Sequence, residues 1–139
     1  MNRKPILVVD DDSCIRFAYK KLFTSAGYDV QTAESAEQAL LIMRTTPASV
    51  LFLDLALPGM NGLELCQAVR KSWPWSINIA VTGFASIFEL VACREAGFED
   101  YFIKPAEPKE LLAAAEHAFK KQEHWKQRPT ARPVKAAQA

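Results

Sequence analysis

SVLFLDLALPGMNG (49–62) carries one ionisable side chain, Asp54, in the middle of an apolar run. Taking a carboxylate charge out of water without a partner costs on the order of several kcal/mol. The run therefore reads as a strand that stops at Asp54, whose side chain emerges into a polar site. Three other apolar runs end in the same way. ILVV precedes Asp10, Asp11 and Asp12; INIAV precedes Thr82; YFI precedes Lys104. Four strand ends thus supply carboxylates, a hydroxyl and an ammonium.

Between these runs lie helical patterns, giving five strand–helix alternations. The continuous run PILVV (5–9) has the look of a strand buried on both faces. It leads into a helix with Ile15, Ala18, Tyr19, Leu22 and Phe23 on one stripe, ending near Gly27. A more polar strand is expected over 28–33. Ser35 with Gln38 then forms a capping box for a helix carrying Ala36, Ala39, Leu40 and Met43, stopped by Pro47. The third strand covers 50–53. After the Pro58-Gly59 turn, Asn61 and Glu64 open a helix with Leu63, Cys66 and Val69 inward. Strand four covers 77–81. Ser86 with Glu89 opens the next helix and Gly97 closes it. A short fifth strand (101–103) precedes a helix that starts at Pro108 and turns Leu111, Leu112, Ala115 and Phe119 inward. One domain over 1–124 is expected, followed by a flexible basic tail over 125–139, where apolar periodicity ceases.

Strict alternation implies an α/β fold: a parallel sheet with helices on both faces. The second strand, polar and without a functional group at its end, belongs at an edge. That suggests a five-stranded sheet of order 2-1-3-4-5 flanked by five helices, a match to the flavodoxin-like doubly wound pattern. Ligands of such sheets bind beyond the carboxyl ends of the strands. With strands roughly 4.8 Å apart, Asp10 and Asp11 would flank Asp54 on one side and Thr82 on the other. Lys104 would reach across with its long stem.

Carboxylates gathered this closely repel, by about 4 kcal/mol per pair at ~4 Å in an effective dielectric near 20. Lys104 offsets one charge, and a hard divalent cation such as Mg²⁺ or Mn²⁺, suited to all-oxygen ligands, offsets two. A phosphoryl group could then be held beside Asp54. Carboxylates do accept phosphoryl groups as aspartyl phosphates, in a reaction governed by positioning and charge stabilisation.

VVDDD, LDLALPGMNG, VTG and DYFIKP, in this order and each at a strand end, resemble the motifs of the response-regulator receiver domains of two-component signalling. The resemblance runs from residue 5 to about 124. It implies that Asp54 accepts a phosphoryl group from a phosphohistidine of a sensor histidine kinase or phosphotransfer protein. It also implies that Asp11, Asp54 and the Ala56 backbone carbonyl ligate Mg²⁺, with Asp10 acting through water. Thr82 and Lys104 would bind the phosphoryl group. Thr82 and Tyr101 would switch together, altering a face made by the fourth helix, fifth strand and fifth helix. In this family the positions two beyond the acceptor and two beyond the threonine tune hydrolysis; here they are Ala56 and Phe84, which implies slow self-dephosphorylation. Gly83 and Phe98 depart from the usual alanines. Asp12 reads as a helix N-cap, with a ligand role as the alternative.

The composition raises no competing class. Among 139 residues, 50% are hydrophobic and the formal charge is +1, which points globally to neither nucleic acid nor membrane. The basic residues Lys120, Lys121, Lys126, Arg128, Arg132 and Lys135 gather near one end, opposed by Glu123 alone. Cys14, Cys66 and Cys93 fit no metal spacing or disulfide framework and read as small buried apolar residues in a reducing cytoplasm. Trp73 and Trp75 read as packing or surface residues, and His117 and His124 as solvated. No apolar run approaches a membrane span, no secretory leader is visible, and too few residues follow for a DNA-binding domain. Output is expected through a downstream protein, a phosphorelay or a phosphorylation-dependent dimer. Two other readings are a Mg²⁺-dependent phosphohydrolase using Asp10-x-Asp12, and a phosphorylation-independent adaptor.

Overall fold

Ten elements alternate without exception in the computed structural model, which describes residues 4–83 and 86–126, apart from the Phe88 side chain. They are β1 (Pro5–Val9), α1 (Ser13–Ser25), β2 (Asp29–Ala33), α2 (Ala36–Thr45), β3 (Val50–Leu53), α3 (Gly62–Ser72), β4 (Ile77–Thr82), α4 (Ile87–Ala96), β5 (Asp100–Ile103) and α5 (Pro108–Lys126). The strands form one parallel sheet, β2-β1-β3-β4-β5. This is the order expected from the polar second strand, which takes an edge.

Side chains on a strand alternate between faces, so the apolar runs feed two cores. Leu7, Val9, Leu51, Leu53 and Ala80 pack under α2, α3 and α4, against Met43, Leu65 and Cys93 among others. Ile6, Val8, Val50, Phe52, Ile79 and Val81 pack under α1 and α5, against Phe23, Leu111 and Phe119. Phe23 stacks on Phe52 with ring centroids 4.7 Å apart, tying α1 to the central strand. Among the described residues no helix is long and apolar enough to cross a membrane.

The helix starts follow the local chemistry. Asn61 and Glu64 exchange both bonds of a capping box, as do Ser86 and Glu89. Asp12 caps α1 by accepting from Cys14 N at 2.8 Å. Ser35 Oγ accepts from Gln38 N, but the Gln38 side chain accepts from Glu34 N, one residue before the cap, so only half of the expected box forms. Gly97 ends α4 with φ of 102°, a left-handed conformation that favours glycine.

Several local expectations are corrected. Strand β5 starts at Asp100, one residue before the expected 101, and Cys14, expected to be buried, is exposed at the start of α1. Tyr28 precedes β2 instead of starting it: its N–H donates back to Phe23 O at the end of α1, and the ladder to β1 begins with Asp29. Thr82 belongs to β4. Ala18 is exposed although it lies near the apolar stripe; the contact with the sheet is made by Tyr19 and Phe23. The last helix takes in Trp125 and Lys126, two residues of the expected tail; 127–139 lie outside the described residues.

Asn78 on β4 is the anomaly of the interior. It is 1% exposed, and among the described residues neither its Nδ2 nor its Oδ1 has a hydrogen-bond partner. An unpaired buried amide costs about 1–3 kcal/mol. Asn78→Leu keeps the branching without the polar atoms but is larger, so the gain from removing the unpaired amide, about 1–2 kcal/mol in urea unfolding, is expected to be partly offset by overpacking. A loss of more than about 3 kcal/mol, beyond the usual cost of overpacking, would mean that the amide is satisfied.

Candidate functional site

The strand ladders continue one residue past the carboxyl ends and fix the polar residues there. Asp10 N donates to Ala33 O, Asp54 N to Val9 O at 2.9 Å, and Lys104 N to Thr82 O at 2.7 Å. Asp10, Asp54 and Thr82 are all buried. The lysine crosses the end of the sheet: its Nζ lies 2.7 Å from Asp10 Oδ2 and 3.3 Å from Asp54 Oδ2. Each carboxylate uses its other oxygen locally. Asp10 Oδ1 accepts from Asp12 N at 2.9 Å, and Asp54 Oδ1 accepts from Ala56 N at 3.1 Å. These contacts hold both carboxylates in fixed orientations despite burial.

Asp11, exposed, completes a group with Asp10 and Asp54 in which one carboxylate oxygen from each lies within 4.8 Å of the others. One ammonium faces three carboxylates, leaving the site net negative. The electrostatics reflect this. Burial raises the Asp10 carboxyl above its ordinary 3.8, with the Asp54 charge adding to it, against the opposing effects of Lys104 and Asp12 N–H. Burial pulls the Lys104 ammonium down, but its hydrogen bond to Asp10 and the charges of Asp10 and Asp54 outweigh this and raise it above 10.5. The donor set is all hard oxygen, which fits Mg²⁺ or Mn²⁺.

Asp10, Asp11, Asp54 and Lys104 are thus brought together, with Thr82 at the neighbouring strand end. Ala56 is exposed on the loop after Asp54. Tyr101 is 43% exposed, away from this cluster. It lines a groove of about 590 Å³ with Ile87, Leu90, Val91 and Phe98 between α4 and β5. Phe84 lies outside the described residues. The Asp12 carboxylate caps α1 through Oδ1. Burial pushes the Cys66 thiol up to about 12, so it is an inert core residue.

Two contributors escape a reading of the motifs. Arg16 Nη1 donates to Asp10 O at 2.8 Å, and its Nη2 lies 4.0 Å from Glu34, pinning the acidic loop from α1. Gly62 starts α3 where a Cβ would lie 2.3 Å from Asp54 O and 2.8 Å from Leu55 Cα. Only glycine lets the helix approach the backbone that carries Asp54. The sequence signal was the glycine itself, one residue after the cap. Gly62→Ala is expected to lose about 1–3 kcal/mol of stability, the usual cost of overpacking. It should also weaken Mg²⁺ binding followed by titration, and wild-type values for both would contradict the close approach.

These features are those of a receiver, and comparison with known proteins agrees. The family model for the response regulator receiver domain matches residues 6–116, and the chain belongs to that family. It is 38% identical over 111 residues to the probable transcriptional regulator ycf27 of Pyropia yezoensis, covering 80% of this chain and 45% of that protein. It is 36% identical over 110 residues to the alginate biosynthesis transcriptional regulatory protein AlgB of Pseudomonas aeruginosa, covering 79% of this chain and 24% of that one. Among solved structures, a CheY-like receiver domain protein from Methanospirillum hungatei superposes with a TM-score of 0.85 at 33% identity, covering 88% of this chain and 98% of that one. The chain spans about half the length of the first curated relatives it matches. As a receiver domain it serves phosphorylation-dependent signalling rather than the turnover of a classical enzyme.

Proposed function

We propose that this receiver accepts a phosphoryl group on Asp54 from a phosphohistidine of a sensor histidine kinase or phosphotransfer protein in the cytoplasm. A carboxylate oxygen of Asp54 attacks phosphorus and the P–N bond breaks. The imidazole nitrogen keeps the electron pair and takes a proton from solvent. The observation that carries this reading is the Lys104 ammonium spanning Asp10 and Asp54 at the strand ends. Lys104 neutralises the cluster before transfer and pairs with a phosphoryl oxygen after it. Thr82 donates its hydroxyl to a second oxygen. Asp11, Asp54 and the Ala56 carbonyl would hold Mg²⁺ or Mn²⁺, with Asp10 acting through water, and the ion would supply charge neutralisation for the incoming phosphoryl group.

The output face combines α4, β5 and α5. Ile87, Val91, Tyr101 and Ile103 leave exposed apolar surface there, suited to a downstream protein or a phosphorylation-dependent dimer rather than to direct nucleic-acid contact. Thr82 moving toward the phosphoryl group leaves space into which the outward Tyr101 ring turns, and the face changes shape. Beryllofluoride with Mg²⁺ tests this. NMR resonances of Thr82, Tyr101 and α4 should shift with beryllofluoride and stay unchanged in Asp54→Asn. An unresponsive wild-type chain would instead be a phosphorylation-independent adaptor.

Phosphoryl lifetime follows from Ala56 and Phe84, neither of which can orient an attacking water by hydrogen bonding. Self-dephosphorylation is expected to be slow, with a half-life well beyond seconds for the purified phosphoprotein. Decay within seconds would contradict this.

A further inference from the structure

Asp10 and Asp11 are neighbours in the acidic cluster but are held very differently. Asp10 is tied at three points: its N–H donates to Ala33 O, its Oδ1 accepts from Asp12 N, and its Oδ2 accepts from Lys104. Asp11 is exposed, and among the described residues no donor holds its carboxylate. The direction of that carboxylate is therefore set by the backbone that carries it. The Asp10 carbonyl and the Asp11 N–H belong to one planar peptide unit, and Arg16 Nη1 donates to that carbonyl at 2.8 Å. Hydrogen bonds from a guanidinium are shorter and stronger than neutral ones.

Arg16 is well placed to hold this peptide still. Its side chain is only 20% exposed. It stands in the first turns of α1, which is fixed to the sheet by the buried Tyr19 and Phe23. Its backbone N–H donates to Asp12 O at 3.1 Å, so main chain and side chain together close around the loop 10–12. Its Nη2 lies 4.0 Å from the largely exposed Glu34 carboxylate, a solvated pair too weak to draw the guanidinium away. The charges that shift the Asp10 carboxyl are those of Lys104 and Asp54; Arg16 acts on the loop through its hydrogen bond. We propose that Arg16 is a positioning residue of the metal site: by fixing the Asp10–Asp11 peptide it aims the Asp11 carboxylate and so sets the affinity for Mg²⁺. This rests on the reading of Asp10, Asp11 and Asp54 as the metal site of a receiver.

The test is an NMR titration of the full chain with Mg²⁺, wild type beside Arg16→Gln. Without metal, the variant should move the Asp11 amide resonance and leave that of Asp54, which is held by Val9 O. Its Mg²⁺ affinity should fall by at least about tenfold, the usual result of losing a group that orients a ligand. In acetyl phosphate labelling, the variant should need correspondingly more Mg²⁺ for half its full rate and reach the wild-type rate at saturation. Removing a cation without loss of position would instead tighten Mg²⁺ binding. The role of Arg16 is overturned if the variant binds Mg²⁺ as tightly as wild type or more tightly, if its Asp11 amide is unmoved, or if saturating Mg²⁺ fails to restore labelling. A wild-type chain that does not bind Mg²⁺ would overturn the reading of the cluster as a metal site, and this role with it.

Discussion

Asp54→Asn should remove phosphoryl incorporation from acetyl phosphate by about a hundredfold or more while leaving the fold intact. The carboxamide offers no nucleophilic oxygen of comparable strength, and Asp10, the other carboxylate held between a backbone N–H and Lys104, is more tightly bound by the ammonium, at 2.7 Å against 3.3 Å for Asp54. A loss of the nucleophile costs far more than the misplacement of a helper, so this is the largest effect expected at the site. Stability should not fall. The amide oxygen can still accept from Ala56 N, and Lys104 keeps its shorter bond to Asp10. One of three crowded carboxylates is gone, so without Mg²⁺ the variant should match the wild type or exceed it by about 1 kcal/mol, well under the ~4 kcal/mol gross repulsion of a close pair. Undiminished labelling, with the label on Asp10, would place the nucleophile where a phosphohydrolase has it.

Lys104→Ala should act on both stability and transfer. Its removal leaves Asp10 and Asp54 buried without a cation. Breaking a buried pair in this way costs about 3–5 kcal/mol. The lysine side chain is 20% exposed, so the lower end, about 3 kcal/mol, is expected in metal-free urea unfolding. Mg²⁺ should restore more stability to the variant than to the wild type, because it replaces the missing charge.

The pH dependence has a definite sign. Asp10 sits above 3.8 in the folded chain, so just above pH 3.8 the folded state binds more protons than the unfolded one. Stability then falls as pH rises through that window. Without Lys104 the folded value climbs further, the window widens upward, and the deficit of the variant is largest near neutrality. Lys104 itself is raised above 10.5, so its contribution is complete below that value and is lost as pH rises beyond it. The variant lacks that alkaline loss. Phosphoryl transfer should drop by about a hundredfold, typical of losing one charge-stabilising group. A variant as stable as wild type at pH 7 without metal would show that Lys104 does not neutralise the cluster.

The fold was legible because each signal rests on local physics. Continuous apolar runs made buried parallel strands, and the Asn61–Glu64 and Ser86–Glu89 pairs closed as capping boxes. The polar Asp29–Ala33 strand took the edge because its side chains tolerate water. The site was legible for the same reason: a charge ending an apolar run needs a partner, and Asp10, Asp54 and Lys104 prove to be partners. What escaped depends on distances between distant segments. Nothing local shows that Lys104 sits nearer Asp10 than Asp54, or that Arg16 holds a backbone carbonyl. That Gly62 must admit the Asp54 backbone is equally invisible before the chain folds. Asn78 reads as a polar interruption of a strand, and only the packed core shows that neither end of its amide is met. Periodicity placed Ala18 on the inner stripe of α1, but the stripe does not say where the sheet beneath it ends.

The most direct measurement is peptide mapping of the wild-type chain after acetyl phosphate treatment with and without Mg²⁺, trapping the acyl phosphate by borohydride reduction before mass spectrometry. The expected result is a single Mg²⁺-dependent modification on Asp54. Modification at Asp10 or Asp11, or none under conditions where Mg²⁺ binds, would contradict the role of Asp54 as acceptor.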